Sequence, residues 1–216
     1  MQAGRLPPFP PRNGRFITLE GPEGAGKTVM AARLAAELES RGVPVVLTRE
    51  PGGTRLGERL RDLLLDSDGA WISPRTDALL FNAARAQLVG EVITPALDAG
   101  EVVVCARYAD STLAYQGHGA GVPLDDLRAL ADIATGGLMP ELTILLDVDP
   151  EIGLARKRPA DRTRFEAGFD LEFHRRVRAG FLALAAAEPD RFVVIEAGRP
   201  ADAVFADVLA AALAIP

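Results

Sequence analysis

The 216-residue chain has one cysteine, two histidines and one tryptophan, and aromatics make up only 6% of it. A single cysteine excludes an internal disulfide, and two scattered histidines supply no Cys/His cluster of metal-site spacing. Cys105 lies in an apolar run and reads as a small buried hydrophobe, while His118 and His174 are isolated and read as structural. Positive charge is also scarce. With 24 Lys and Arg against 30 Asp and Glu the formal net charge is −6, which speaks against a broad nucleic-acid or anionic-membrane surface. No apolar run is long enough to cross a bilayer, and the opening MQAGRLPPFPPRNG lacks the apolar stretch of a signal peptide. Its prolines predict a flexible or extended tail over residues 1–14. The expectation is a cytoplasmic protein with no nucleic-acid or membrane partner, folded as one domain over residues 15–216. A chain of this length can bury roughly 70% of its unfolded surface without disulfide or metal staples.

What is present is an alternation of short apolar runs and amphipathic stretches. Arg15 to Glu20 reads as a strand and Gly26 to Ser40 as a helix. VPVVLTRE is a second strand, and RLGERLRDLLLD and much of PRTDALLFNAARAQLVGEVITPALDAG are helical, the latter closed by a glycine. EVVVCARY and ELTILLDVD are nearly continuous apolar runs, as strands buried on both faces should be. RFVVIEAG is the last strand and PADAVFADVLAAAL the closing helix. Five strands alternating with helices predict an α/β three-layer sandwich, a parallel sheet covered on both faces.

The stretch GPEGAGKT, from Gly21 through Pro22, Glu23, Gly24, Ala25, Gly26 and Lys27 to Thr28, has the G-x-x-x-x-G-K-T spacing between a strand and a helix. Its glycines let backbone N–H groups curl around phosphate oxygens, and the following helix adds its positive end. Lys27 can bridge the outer phosphates of a nucleoside triphosphate such as ATP, and the Thr28 hydroxyl can ligate Mg²⁺. A glycine-rich turn of purely structural purpose is the competing reading, and strand and helix on either side weigh against it. The cradle is shared by GTPases, ATPases, sulfotransferases and small-molecule kinases, so the reaction must be named by other residues.

Four further stretches, TREPGGT, LLFNAARAQLV, ARYADSTLAYQG and TRFEAGFDLEFHRRVRAGFLALA, together with the cradle, resemble the thymidylate kinase family of P-loop nucleoside monophosphate kinases in its bacterial form. The resemblance covers nearly everything from Phe16 to the C-terminus. It implies transfer of phosphate from MgATP to dTMP, a homodimer, and a set of acceptor-binding residues. Phe81 and Arg85, spaced i, i+4 on one helix face, would stack on the pyrimidine and bond its carbonyl edge. From periodicity alone a core phenylalanine beside a solvated arginine is the better reading; the resemblance reverses that choice. Glu23 would meet the sugar hydroxyl, and Arg49 and Glu50 would lie near the acceptor phosphate. Arg107 would bind and align that phosphate, with Ser111 beside it, and Tyr115 and Gln116 would flank the deoxyribose and base.

The arginine-rich ARKRPADRTR is expected to form a short lid over about residues 156–166, closing on the donor and bringing Arg158 and Arg162 to the transferring group. Two departures from the family pattern stand out. Ala106 precedes Arg107 and Tyr108 where the family has aspartate, and Thr163 stands where relatives often have aspartate. Without the strand-end carboxylate, Thr28, the phosphates and Glu166 are the candidates to hold Mg²⁺. Two rivals stay open on sequence: a kinase for another nucleoside or nucleoside monophosphate, and a catalytically silent nucleotide-binding regulator that Ala106 keeps in play.

Overall fold

The computed structural model describes residues 14–66, 71–158 and 163–214. The expected tail therefore lies outside the described residues except for Gly14, which is buried and donates its N–H to the Leu97 carbonyl at 3.1 Å. All five expected strands form: β1 (Arg15–Glu20), β2 (Val45–Arg49), β3 (Val102–Ala106), β4 (Leu142–Asp147) and β5 (Phe192–Glu196). They pair in parallel in the order β2-β3-β1-β4-β5. The apolar runs of β1, β3 and β4 occupy the centre, buried on both faces, whereas edge strand β5 leaves Val193 and Val194 exposed.

Side-chain alternation divides the core. Ile17 and Leu19 pack with Val104, Ile144 and Leu146 against α1 (Lys27–Ser40) and α10 (Ala201–Leu213). Phe16, Val103 and Cys105 pack on the opposite face against the helical stretch of α3 (Pro74–Leu88) and α4 (Thr94–Asp98). Leu145 joins an aromatic cluster there that includes Phe173 and Phe181 of α9 (Leu171–Ala187).

The expected long helix over residues 74–98 is present with a widening. Pro95 cannot donate an N–H and would crowd the preceding turn of a regular helix. The chain answers with a π-helical turn over Val89–Ile93, in which the Thr94 N–H reaches the Val89 carbonyl. Helix α2 (Arg55–Leu65) is capped by Thr54 Oγ1, which accepts from the Gly57 N–H at 2.9 Å, and α3 starts on Ser73 with Pro74 in its first turn. Four more helices complete the chain among the described residues: α5 (Ala109–Thr112), α6 (Leu124–Thr135), α7 (Pro150–Ala155) and α8 (Arg164–Gly168), and a second π segment runs over Leu113–Gly119. Among the described residues no helix is long and apolar enough to cross a membrane.

Candidate active site

Every central strand delivers its C-terminal end to one side of the sheet, where open parallel sheets bind ligands. A cleft of ≈ 380 Å³ lies there. Gly21 through Gly26 connect β1 to α1, and the loop passes so close to α7 that a side chain on Gly24 would stand 1.9 Å from the Gly153 carbonyl oxygen. Gly26, with φ 91°, caps α1 without a side-chain bond to the helix. The first N–H groups of α1 thus lack a side-chain partner and form an anion site of the helix-terminus kind. Lys27 is buried. Its Nζ donates to the Gly21 and Pro22 carbonyls at 2.9 and 2.6 Å. Burial and the neighbouring Arg107 pull its pKa down to about 7, against the pull of Glu23 and Glu20. A bound polyanion would add to the counter-charge of Glu23 and Glu20 and favour the ammonium form.

Arg107 follows β3 in a left-handed conformation, φ 73°, uncommon for a residue with a side chain. Its N–H is pinned to the Leu19 carbonyl at 3.0 Å. From there the guanidinium bonds Glu23 Oε1 at 2.6 Å, Ser111 Oγ at 3.2 Å and the Tyr115 hydroxyl at 3.3 Å. Tyr115 donates its hydroxyl to the same Glu23 oxygen at 2.9 Å. Burial pushes the Glu23 carboxyl up, but Arg107, Lys27, Lys157 and Tyr115 outweigh it and hold it well below the usual carboxylate range.

Beneath this pair lies Glu20, fully buried at the end of β1, which the sequence reading left unremarked. Its Oε1 accepts the Tyr108 and Ser111 N–H groups at 2.7 and 3.2 Å, and its Oε2 accepts from Ser111 Oγ at 2.6 Å. Burial and the Asp110 carboxylate push its pKa up to about 7, opposed by Ser111, Arg107 and the Tyr108 N–H. A buried acid between a strand and a glycine loop reads from sequence as an ordinary polar strand end. Only the three-dimensional turn after β3 gives it partners.

Across the cleft, Phe81 and Arg85 lie on one face of α3 as expected, and both line the cavity. Arg85 is not a solvated arginine. At 1% exposure it forms an ion pair with buried Glu50, Nε to Oε2 at 2.9 Å, and bonds Asn82, the Tyr108 carbonyl and Thr112 as well. One Nη1 hydrogen is left without a partner among the described residues. Glu50 thus serves Arg85, and burial raises its pKa against that guanidinium. Arg49 pairs with Glu58 at 3.0 Å at the cleft edge. Arg61 of α2, which sequence reasoning did not single out, also lines the cleft and donates to the Pro51 carbonyl at 2.8 Å. Burial and the neighbouring Arg49 and Arg107 depress its pKa, so three guanidinium groups share one region. Gln116 lines the same wall from the second π segment.

The arginine-rich segment is only partly described. Arg162 lies outside the described residues, and Arg158 is exposed and does not line the cleft. Arg156 reaches back to the Gly24 and Ala197 carbonyls at 3.3 and 2.9 Å. Arg164 turns away toward Asp77 and the Leu64 carbonyl. Phe165, also unremarked in sequence, lies edge-on to Tyr115 at 5.5 Å and against Phe81 at 6.1 Å, closing an aromatic wall.

The acidic groups bear on Mg²⁺. Thr28 lines the cleft in the first turn of α1, and its hydroxyl suits a hard cation that keeps most of its waters and takes phosphate oxygens. Glu166 fits less well: its Oε2 caps α8 at Thr163, and its Oε1 is 2.9 Å from Lys157 Nζ. Ala106, 5% exposed at the end of β3, lines the cleft and offers no side-chain oxygen. Among the described residues no group of three or more His, Cys, Asp or Glu side chains converges to hold a metal.

The family model described as thymidylate kinase matches residues 19–208. Thymidylate kinase of Deinococcus radiodurans is 56% identical over 199 residues, covering 92% of this chain and 96% of its own. That of a Synechococcus strain is 56% identical over 183 residues, covering 85% and 87%. The crystal structure of thymidylate kinase from Ehrlichia chaffeensis superposes with a TM-score of 0.75 at 35% identity, over 91% of this chain and 97% of that one.

Proposed function

The chain belongs to the thymidylate kinase family, and from that premise we propose that it transfers the γ-phosphoryl group of ATP to the 5′-phosphate of dTMP. The observation that carries the proposal is one cleft holding two unlike ends. An uncapped helix terminus with Lys27 and Thr28 forms one, and Phe81, Arg85 and Gln116 with three guanidinium groups form the other. The first suits a polyphosphate, the second an aromatic base on a phosphorylated sugar.

The chemistry needs no side-chain base, because the acceptor phosphate oxygen is already a nucleophile. Catalysis is then positioning and charge neutralisation. Lys27 leaves its two carbonyls for the donor phosphates, and Arg107, swung over the cradle by its left-handed turn, aligns the acceptor phosphate with Arg49 and Arg61. Arg85 donates its remaining Nη1 hydrogen to a ring carbonyl, and Phe81 lies along the base. Tyr115, with its hydroxyl tied to Glu23, walls the sugar. The arginine-rich segment 156–166 acts as a lid over the donor, with Arg158 and Arg162 the cations to test there. Mg²⁺, held by Thr28 and the phosphates, would neutralise charge on the donor.

We also propose a homodimer in the cytoplasm. Leu56 and Leu63, seven residues apart on one face of α2, are both exposed, an apolar stripe suited to a second copy. Of the rival readings, a kinase for another monophosphate is disfavoured by the donor at Arg85. A silent regulator is disfavoured by the family match, with Lys27, Arg49, Arg61 and Arg107 all lining the cleft. A panel of dTMP, dUMP, dCMP and ribothymidine monophosphate, read by coupled ADP release, tests the assignment. The highest kcat/KM is expected for dTMP, and equal use of dCMP would refute it.

A further inference from the structure

Gln116 has an amide whose two ends are chemically opposite, so what it offers a base depends on which end faces the cleft. Its Nε2 donates to Asp77 Oδ2 at 2.8 Å, with both residues buried, at 3% and 4% exposure. An ionised carboxylate accepts and never donates, so it dictates this orientation. No described group donates to the Gln116 Oε1, and the residue lines the cleft. Asp77 itself, in the first turn of α3, is paired through its other oxygen with Arg164, the first residue of α8. Burial pushes the Asp77 carboxyl up and Arg164 and Gln116 pull it back. Arg164 is further fixed by the Leu64 carbonyl and lies 4.4 Å from the Phe165 ring.

We propose that Asp77, held by Arg164, is a positioning residue for base specificity: it locks the Gln116 amide so that the cleft meets a hydrogen-bond acceptor there. The inference deepens the functional reading above and rests on it. A pyrimidine carrying a ring N–H beside a carbonyl satisfies Gln116 Oε1 and the Arg85 Nη1 hydrogen together. A ring carrying an amino group beside an unprotonated nitrogen opposes both, acceptor to acceptor and donor to donor. Sites built to bond a ring donor reject a ligand without it more strongly than apolar pockets reject a size change. Residues of three elements thereby set one choice, and one of them, Arg164, sits in the segment next to the donor side.

The test measures kcat/KM for dTMP and for dCMP in the unaltered chain, in Asp77→Asn and in Arg164→Gln. Asparagine can donate as well as accept, so the Gln116 amide can turn. The dTMP/dCMP ratio is expected to fall by about tenfold, the worth of one neutral hydrogen bond, while kcat at saturating dTMP is retained. Arg164→Gln, which leaves the Asp77 carboxylate in place without its ion partner, should lower the same ratio and supplies the reading if Asp77→Asn does not fold. A general structural defect would reduce both substrates alike. A ratio unchanged in the folded variants overturns the proposal and leaves the kinase assignment standing. An unaltered chain that turns over neither nucleotide overturns that assignment, and this inference with it.

Discussion

Replacing Arg85 with methionine should damage the fold before it reports on the base. Sequence periodicity made Arg85 one of two residues on a helix face, and its loss would then cost a single ligand contact. In the structure its guanidinium, 1% exposed, is the partner of Glu50, itself 5% exposed, and also bonds Asn82 Oδ1, the Tyr108 carbonyl and Thr112 Oγ1. Methionine fills much of the same volume but leaves the Glu50 carboxylate buried and unpaired, which costs about 3–5 kcal/mol. For a domain of this size each kcal/mol moves the thermal midpoint by about 2–4 °C, so a fall of about 6–20 °C is expected at pH 7.5. Burial already raises Glu50 above the ordinary 4.5, and losing Arg85 removes the opposing pull. Because a raised carboxyl is stable when protonated, the variant should recover relative to the parent as the pH falls toward 5. Glu50→Gln in the Arg85→Met background should restore much of the loss at neutral pH. Thermal unfolding by circular dichroism across pH 5–8 checks all three. A variant within 2 °C (about 1 kcal/mol or less) of the parent at pH 7.5 would refute the buried-pair reasoning.

Lys27→Met should reduce phosphoryl transfer by about 10²–10³, the cost of losing one preorganised charge donor, and stopped-flow single turnovers that remain fast would remove Lys27 from the mechanism. Ala106→Asp should raise turnover and lower the Mg²⁺ concentration for half-maximal rate by about 10–100-fold, an outer-shell effect, and a flat Mg²⁺ titration would show that the site functions without that carboxylate. Glu20, with a pKa raised from 4.5 to about 7, contributes stability that is present below 4.5 and lost as the pH rises through 7, up to about 3 kcal/mol. Glutamine copies the protonated form, so Glu20→Gln should gain on the parent between pH 5 and 8.5 in urea unfolding, and a constant difference would deny the shift.

The sheet and the cradle were legible because their signals are local. Buried parallel strands write themselves as apolar runs, and a phosphate loop needs glycines at fixed spacing between strand and helix. Phe81 and Arg85 share a face by helical period alone. Partners, by contrast, are set by tertiary approach: nothing in the chain near Arg85 announces Glu50, 35 residues away. Glu20, Asp77 and Arg61 escaped for the same reason, each an unremarkable charge until a turn or a neighbouring helix supplies its contacts. The π segment that delivers Tyr115 and Gln116 was not assigned from sequence, because such a widened turn has no residue pattern of its own. The burial of Lys27 is likewise a tertiary effect, from a loop that folds two carbonyls onto its ammonium.

The central claim is phosphoryl transfer between two nucleotides in one cleft, and following the γ-phosphate label of ATP into product tests it most directly. With purified chain, Mg²⁺, labelled ATP and dTMP, labelled dTDP should form one-for-one with ADP, and neither should form without dTMP. If calorimetry shows both nucleotides bound and no label reaches dTMP, the account is contradicted and the chain is a nucleotide-binding protein without this activity.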